Sequence, residues 1–104
     1  MERIGFRMRL RPGAEGEYRR RHAEVWPELL ADLSAAGASN YSIFLDGEDL
    51  FGYLEVEDFE RFRAAMAASG ANARWQPGMA SLIDPLTDPA TGFHRRMDEV
   101  FHLD

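Results

Sequence analysis

An α+β fold, with an antiparallel sheet that carries its helices on one face, follows from three features of the sequence. Apolar residues alternate over 3–11, two aromatic-rich segments meet across an acidic turn at 46–49, and helical stretches flank that pair on both sides. The 104 residues, 45% hydrophobic and 12% aromatic, have a globular composition and suit one domain spanning 1–104.

In the first segment Ile4, Phe6, Met8 and Leu10 point one way, while Arg3, Gly5, Arg7, Arg9 and Arg11 point the other. Period two over this length predicts a half-buried strand, which Pro12-Gly13 stops. Residues 14–24 are charged and favour helix. Pro27 cannot continue that helix but suits the first position of another, so two pieces are expected, 14–23 and 27–36, with a bend between them. Trp26, Leu29, Leu30 and Leu33 recur at i, i+3, i+4, i+7, an apolar stripe facing a core, and Gly37 supplies the stop. Residues 40–46 and 50–56, joined by Asp46-Gly47-Glu48-Asp49, read as a β-hairpin. Asp58 suits the N-cap of a helix over 59–69, with Phe59, Phe62 and Met66 on one stripe and Gly70 as its end. Residues 72–83 read as helix interrupted by Pro77-Gly78, 84–92 as an irregular loop, and 99–103 as a final short strand. The order is βαββαβ with one extra helix, the ferredoxin-like arrangement. An apolar open face on such a sheet is expected to pair with a second copy, making a homodimer.

The net charge of −6, from 18 acidic and 12 basic residues, argues against nucleic acid and anionic membrane surfaces as partners. No cysteine is present, which removes disulfides, thiolate chemistry and cysteine-built zinc sites. No run approaches the ~18 apolar residues of a membrane span, and no apolar signal core is legible, so a cytoplasmic setting is expected. The histidines lack metal-ligand spacing, and nucleotide-binding glycine motifs and a G-x-S-x-G elbow are absent. Arg19-Arg20-Arg21 sits among Glu15, Glu17, Glu24 and Glu28, which reads as a salt-bridged exposed face.

Three histidines remain as proton carriers. His22 follows Tyr18 by four residues, so the phenol and imidazole share one helix face. In a last helical turn, the dipole would favour the protonated imidazole. Tyr41 opens the second strand, and Trp75 lies in the extra helix. Aromatic faces stack on the C–H faces of sugars, and a phenol can hydrogen-bond a sugar hydroxyl. Trp26 reads as core, His94 beside Arg95 and Arg96 as solvated, and His102 as part of the last strand. Spacing alone does not separate a catalytic His22 from a surface histidine, nor Tyr41 and Trp75 from core aromatics.

Tyr18-Arg19-Arg20-Arg21-His22 followed by Val25-Trp26-Pro27-Glu28-Leu29 resembles the hallmark of the L-rhamnose mutarotase family, a Y-x-x-x-H helix and then W-P-E-L. Asn40–Leu45 resembles the family's second-strand motif, Arg74-Trp75 its late aromatic segment, and Glu99–Asp104 its C-terminal strand. The resemblance implies a ferredoxin-like dimer joined through its sheets (a dimeric α/β barrel), no metal or organic cofactor, and an isomerase that interconverts the anomers of L-rhamnose or a related 6-deoxy sugar. It implies a catalytic histidine at His22 and sugar-contacting residues at Tyr18, Tyr41, Trp75 and the adjoining Gln76. Some members carry a second aromatic where this chain has Gln76, and Pro77-Gly78 follows, so that end of the pocket is expected to differ. The mechanism expected has His22 protonating the ring oxygen, with a tyrosine or a water at the anomeric hydroxyl. Other readings of such a fold are a cofactor-independent monooxygenase or decarboxylase, and a non-catalytic ligand-binding domain.

Overall fold

A computed structural model describes residues 1–104. The alternating segment forms strand β1, Glu2–Leu10, and buries Ile4, Phe6, Met8 and Leu10, as its period requires. Helices α1, Glu15–Ala23, and α2, Pro27–Ala35, are separated by the bend that Pro27 imposes. The hairpin is β2, Ser39–Asp46, and β3, Asp49–Val56. Asp58 caps α3, Phe59–Ala67, by accepting the Arg61 N–H at 3.2 Å.

The next helix, α4, spans Gly70–Ala80, and it corrects two expectations. Gly70 opens α4 instead of closing α3. Ser69 is the N-cap, its Oγ accepting the Asn72 N–H at 3.0 Å and donating to Asp32 Oδ2 at 2.6 Å. Pro77 lies inside the helix without ending it. The buried stripe Ala71, Trp75 and Met79 holds α4 to the core on both sides of the proline, so packing outweighs the lost backbone donor.

One antiparallel sheet has the order β2-β3-β1, and the far edge of β1 is shared by two short strands. β4, Ile83–Asp84, pairs with Arg9 and Leu10, and β5, Arg95–Met97, pairs with Gly5–Arg7. Together they stand where a ferredoxin-like sheet has its fourth strand. The final strand expected over 99–103 does not form. β5 already occupies β1 at Gly5–Arg7, and Arg3 draws Glu99 into a two-point ion pair at 2.8 and 3.1 Å. The tail beyond Met97 leaves the sheet with Val100, Phe101 and Leu103 each more than 70% exposed.

The inner face of the sheet supports the core. Phe6 is fully buried and lies over Gly52, its cross-strand partner. A Cβ at that position would overlap the tip of the Phe6 ring, so only glycine leaves room for the ring against β3. The outer face is mixed where an apolar one was expected. Phe44, Phe51 and Tyr53 are ringed by Arg3, Arg7 and Arg9, with the Arg7 guanidinium 5.6 Å from the Phe51 ring centre. Trp26 and Leu30 also depart from the expected stripe. They are 36% and 50% exposed, because α2 turns only Leu29 fully inward.

Candidate active site

Tyr18 on α1 is buried and supports His22 one turn later, the two rings stacking with centroids 4.1 Å apart. His22 Nδ1 lies 3.0 Å from the Tyr18 carbonyl oxygen. A carbonyl only accepts, so Nδ1 carries the proton and the lone pair of the neutral ring sits on Nε2. Trp75 of α4 meets His22 edge-on at 5.7 Å, and Trp26 meets Trp75 edge-on at 5.0 Å. Burial pushes the His22 pKa below its ordinary value, outweighing the carbonyl bond that raises it. The protonated form expected from the helix dipole is therefore not the favoured one. The arginine run behaves as expected and stays outside the site. Arg19 pairs with Glu15, while Arg20 and Arg21 both pair with Glu17 and hold its carboxyl down at about 2.

Tyr41 reaches the site through an irregularity in β2. The pairing of β2 with β3 shifts between Ser39 and Ser42, and Asn40 takes a φ of +47°. This β-bulge changes which side chains face inward. Asn40 is turned to the outer face, where its amide donates to Glu55 Oε1 at 2.8 Å beside the Tyr53 hydroxyl on Oε2 at 2.7 Å. Tyr41 is turned to the inner face, its ring edge-on to Phe6 at 6.1 Å. Desolvation and the neighbouring Tyr18 phenol push the Tyr41 phenol up, and burial pushes that of Tyr18 up to about 12. Both hydroxyls are donors at neutral pH.

Beside these residues opens a cleft of about 960 Å³, within the roughly 300–1,000 Å³ of small-molecule sites. His22, Tyr41, Trp75 and Gln76 line it; Tyr18 does not, and lies beneath His22 beside a smaller recess. Gln76 is exposed at the rim, its amide donating to Asn72 Oδ1 at 2.8 Å. Apolar residues make up most of the wall, with Leu29, Leu54 and Phe62 on the inner side. No group of three or more His, Asp or Glu side chains is arranged to hold a metal ion.

Sequence reasoning missed one wall residue, His94. Expected to be solvated, it is half-buried, stacked on Phe6 at 5.2 Å, and part of the cleft. Its Nδ1 lies 2.8 Å from the Pro85 carbonyl oxygen, and burial pushes its pKa down. The flanking arginines do not carry it into water. Arg96 instead lies over the Phe59 ring at 4.7 Å. No periodic signal marks His94, because the segment before it is irregular. His102 lies outside the cleft, its Nε2 bonded to Asp104 at 2.7 Å.

The family model described as L-rhamnose mutarotase matches residues 3–103. L-rhamnose mutarotases of Oceanobacillus iheyensis and Burkholderia orbicola are each 42% identical to this chain over the full length of both proteins. The crystal structure of an L-rhamnose mutarotase from Formosa agariphila superposes with a TM-score of 0.81 at 30% identity, covering both chains completely. No helix is long and apolar enough to cross a membrane. The chain belongs to the L-rhamnose mutarotase family.

Proposed function

We propose that His22 carries the acid/base chemistry of anomer exchange in this protein, with Tyr41, Trp75 and Gln76 holding the sugar and Tyr18 positioning the imidazole. The protein is a carbohydrate isomerase of the mutarotase class that interconverts the α and β anomers of L-rhamnose. The observation that carries the assignment of roles is the Nδ1–H of His22 on the Tyr18 carbonyl, which leaves Nε2 as the basic nitrogen of a ring that lines the cleft.

Mutarotation opens the pyranose at C1–O5 and recloses it on the other face of C1. Neutral Nε2 of His22 takes the proton from the anomeric hydroxyl as the C1–O5 bond breaks and the C1=O1 carbonyl forms. The imidazolium then protonates O5. Both oxygens are bonded to C1, so one nitrogen serves both with a small movement. After rotation about C1–C2 the same steps run in reverse. A depressed pKa suits this order, because the resting group is the base. The tyrosine phenols stay protonated, so Tyr41 donates a hydrogen bond to a sugar oxygen and does not take up the anomeric proton. The Trp75 indole, edge-on to His22, offers an apolar surface for the sugar's C–H groups. The aromatic cradle and the family match both favour this isomerase over monooxygenase-like or purely ligand-binding readings.

Saturation-transfer NMR of anomer exchange, run on L-rhamnose and a panel of aldoses, tests the proposal. Exchange above the buffer rate that disappears in His22→Ala supports it. A His22→Ala protein with wild-type exchange would sink the role of His22.

We further propose a homodimer that covers the open sheet face. Its support is the mixed patch of Phe44 and Phe51 together with the extended tail, whose Val100, Phe101 and Leu103 are buried against nothing in their own chain. Light scattering during size exclusion reads the mass directly, and a monomer at micromolar concentration would overturn it.

A further inference from the structure

His94 has the same backbone anchoring as His22, yet it comes from an unrelated part of the chain. Its Nδ1–H donates to Pro85 O at 2.8 Å, as that of His22 donates to Tyr18 O at 3.0 Å. Both rings are thereby held in one tautomer, with the Nε2 lone pair left over. Both line the same cleft, His22 from the helical side and His94 from the sheet side, where it stacks on Phe6 with the planes 15° apart.

The segment that delivers His94 is built to hold it. The Asp88 N–H donates to Phe93 O at 2.8 Å, and Thr87 and His94 form an isolated β-bridge. Gly92, at a φ of +71°, makes the reversal between them. Phe93 packs edge-on against both Phe6 and Phe59. The imidazole is thus fixed on one face by Phe6 and at one nitrogen by Pro85, while its second nitrogen has no hydrogen-bond partner within the chain.

We propose that His94 is a second substrate-contacting residue, whose Nε2 accepts a hydrogen bond from a ring hydroxyl of the sugar bound at His22. This inference rests on the mutarotase reading and extends it to the sheet side of the site. A hydroxyl-rich ligand is the chemistry that suits an imidazole acceptor at the edge of an apolar, aromatic floor. The residue binds the sugar and takes no part in the proton transfer at C1, which falls to His22.

Two variants and one spectrum test it. His94→Phe keeps a ring on Phe6 and deletes Nε2, while His94→Gln restores a polar group. The interaction is present in ground and transition states alike. His94→Phe should therefore raise KM for L-rhamnose about 2- to 10-fold, the range of one neutral hydrogen bond, with little change in kcat. His94→Gln should recover part of the loss. A purely structural role would move neither KM in a folded His94→Phe protein nor the spectrum. In the wild type, nitrogen NMR of the imidazoles should show His94 Nε2 unprotonated and shifting as L-rhamnose is added. Wild-type exchange combined with an unmoved His94 resonance and an unchanged KM would overturn the role of His94 and leave the mutarotase reading standing. Absence of exchange in the wild type with every sugar would overturn that reading, and this inference with it.

Discussion

The two walls of the cleft solve one problem in different ways. The helical wall places His22 on α1 and Trp75 on α4, with Tyr18 one turn before His22 and beneath it, so that the imidazole is gripped by neighbouring rings. The opposite wall places His94 at the end of an irregular stretch, held by a carbonyl, a one-pair bridge and a buried phenylalanine. Both end with an imidazole whose Nδ1 is bound to backbone and whose Nε2 is left for a ligand. In both walls the nearest carbonyl fixes the tautomer and desolvation lowers the pKa, whatever kind of element supplies them. The two walls also differ in sequence, since the Y-x-x-x-H and W-P-E-L pattern lies on the helical wall, while His94 lies outside every segment that resembles the family's motifs.

The strongest way to break the equivalence is His22→Ala. Removing a positioned acid/base group should slow anomer exchange ~100- to 10,000-fold, with thermal unfolding close to wild type because the ring is only half-buried. NMR exchange rates alongside a melting curve check both halves.

Gly52→Ala strikes the floor on which both walls rest. The added methyl must displace the Phe6 ring, which touches both Tyr41 and His94. Overpacking of this kind costs ~1–3 kcal/mol, and each kcal/mol lowers the melting temperature of a domain this size by roughly 4–8 °C. Calorimetry should show that drop together with weaker sugar binding. An unchanged melting temperature would show that the ring can move without cost.

Ser69→Ala should act on the helical wall alone. It removes the cap of α4 and the hydroxyl bonded to Asp32, and caps are worth ~0.5–2 kcal/mol. Chemical denaturation should show that loss, with the His94 wall, as reported by its imidazole resonances, unaffected.

The smallest effect expected is a pH dependence that both walls share. Burial holds His22 and His94 below their ordinary value near 6.5. The unfolded chain therefore binds more protons than the folded one just below pH 6.5. Stability from these groups is complete above that pH and declines as the pH falls through 6.5 towards the folded values. Melting temperatures between pH 7.5 and 5.5 should fall on the acid side, and less so in His94→Phe, which leaves one histidine to contribute. Exchange activity should fall over the same acid range as Nε2 of His22 gains its proton.

Much of this architecture was legible beforehand, because periodic patterns report local geometry. The alternation of 3–11, the hairpin about Gly47, the proline bend at 27 and the Asp58 cap all formed where the residues point to them. The Tyr18–His22 pair was equally legible, since a helix places residues i and i+4 together. Gly70 and Pro77 misled because each is a breaker only by propensity, and the stripe of Ala71, Trp75 and Met79 outweighs propensity. The expected strand at 99–103 was a competition for one edge of β1, and no local pattern reveals that Arg95–Met97 wins it.

By itself, the sequence determined the first strand, the helices, the central hairpin and the helix face that carries His22, since these rest on interactions among residues a few positions apart. The tertiary structure alone decided three further things. It turned Tyr41 inward through a bulge whose register depends on β3, it brought His94 from beyond the irregular loop onto Phe6, and it buried both imidazoles enough to lower their pKa values. Each of these depends on pairing and desolvation between residues distant in the chain, and such partners exist only once the sheet has closed over its core.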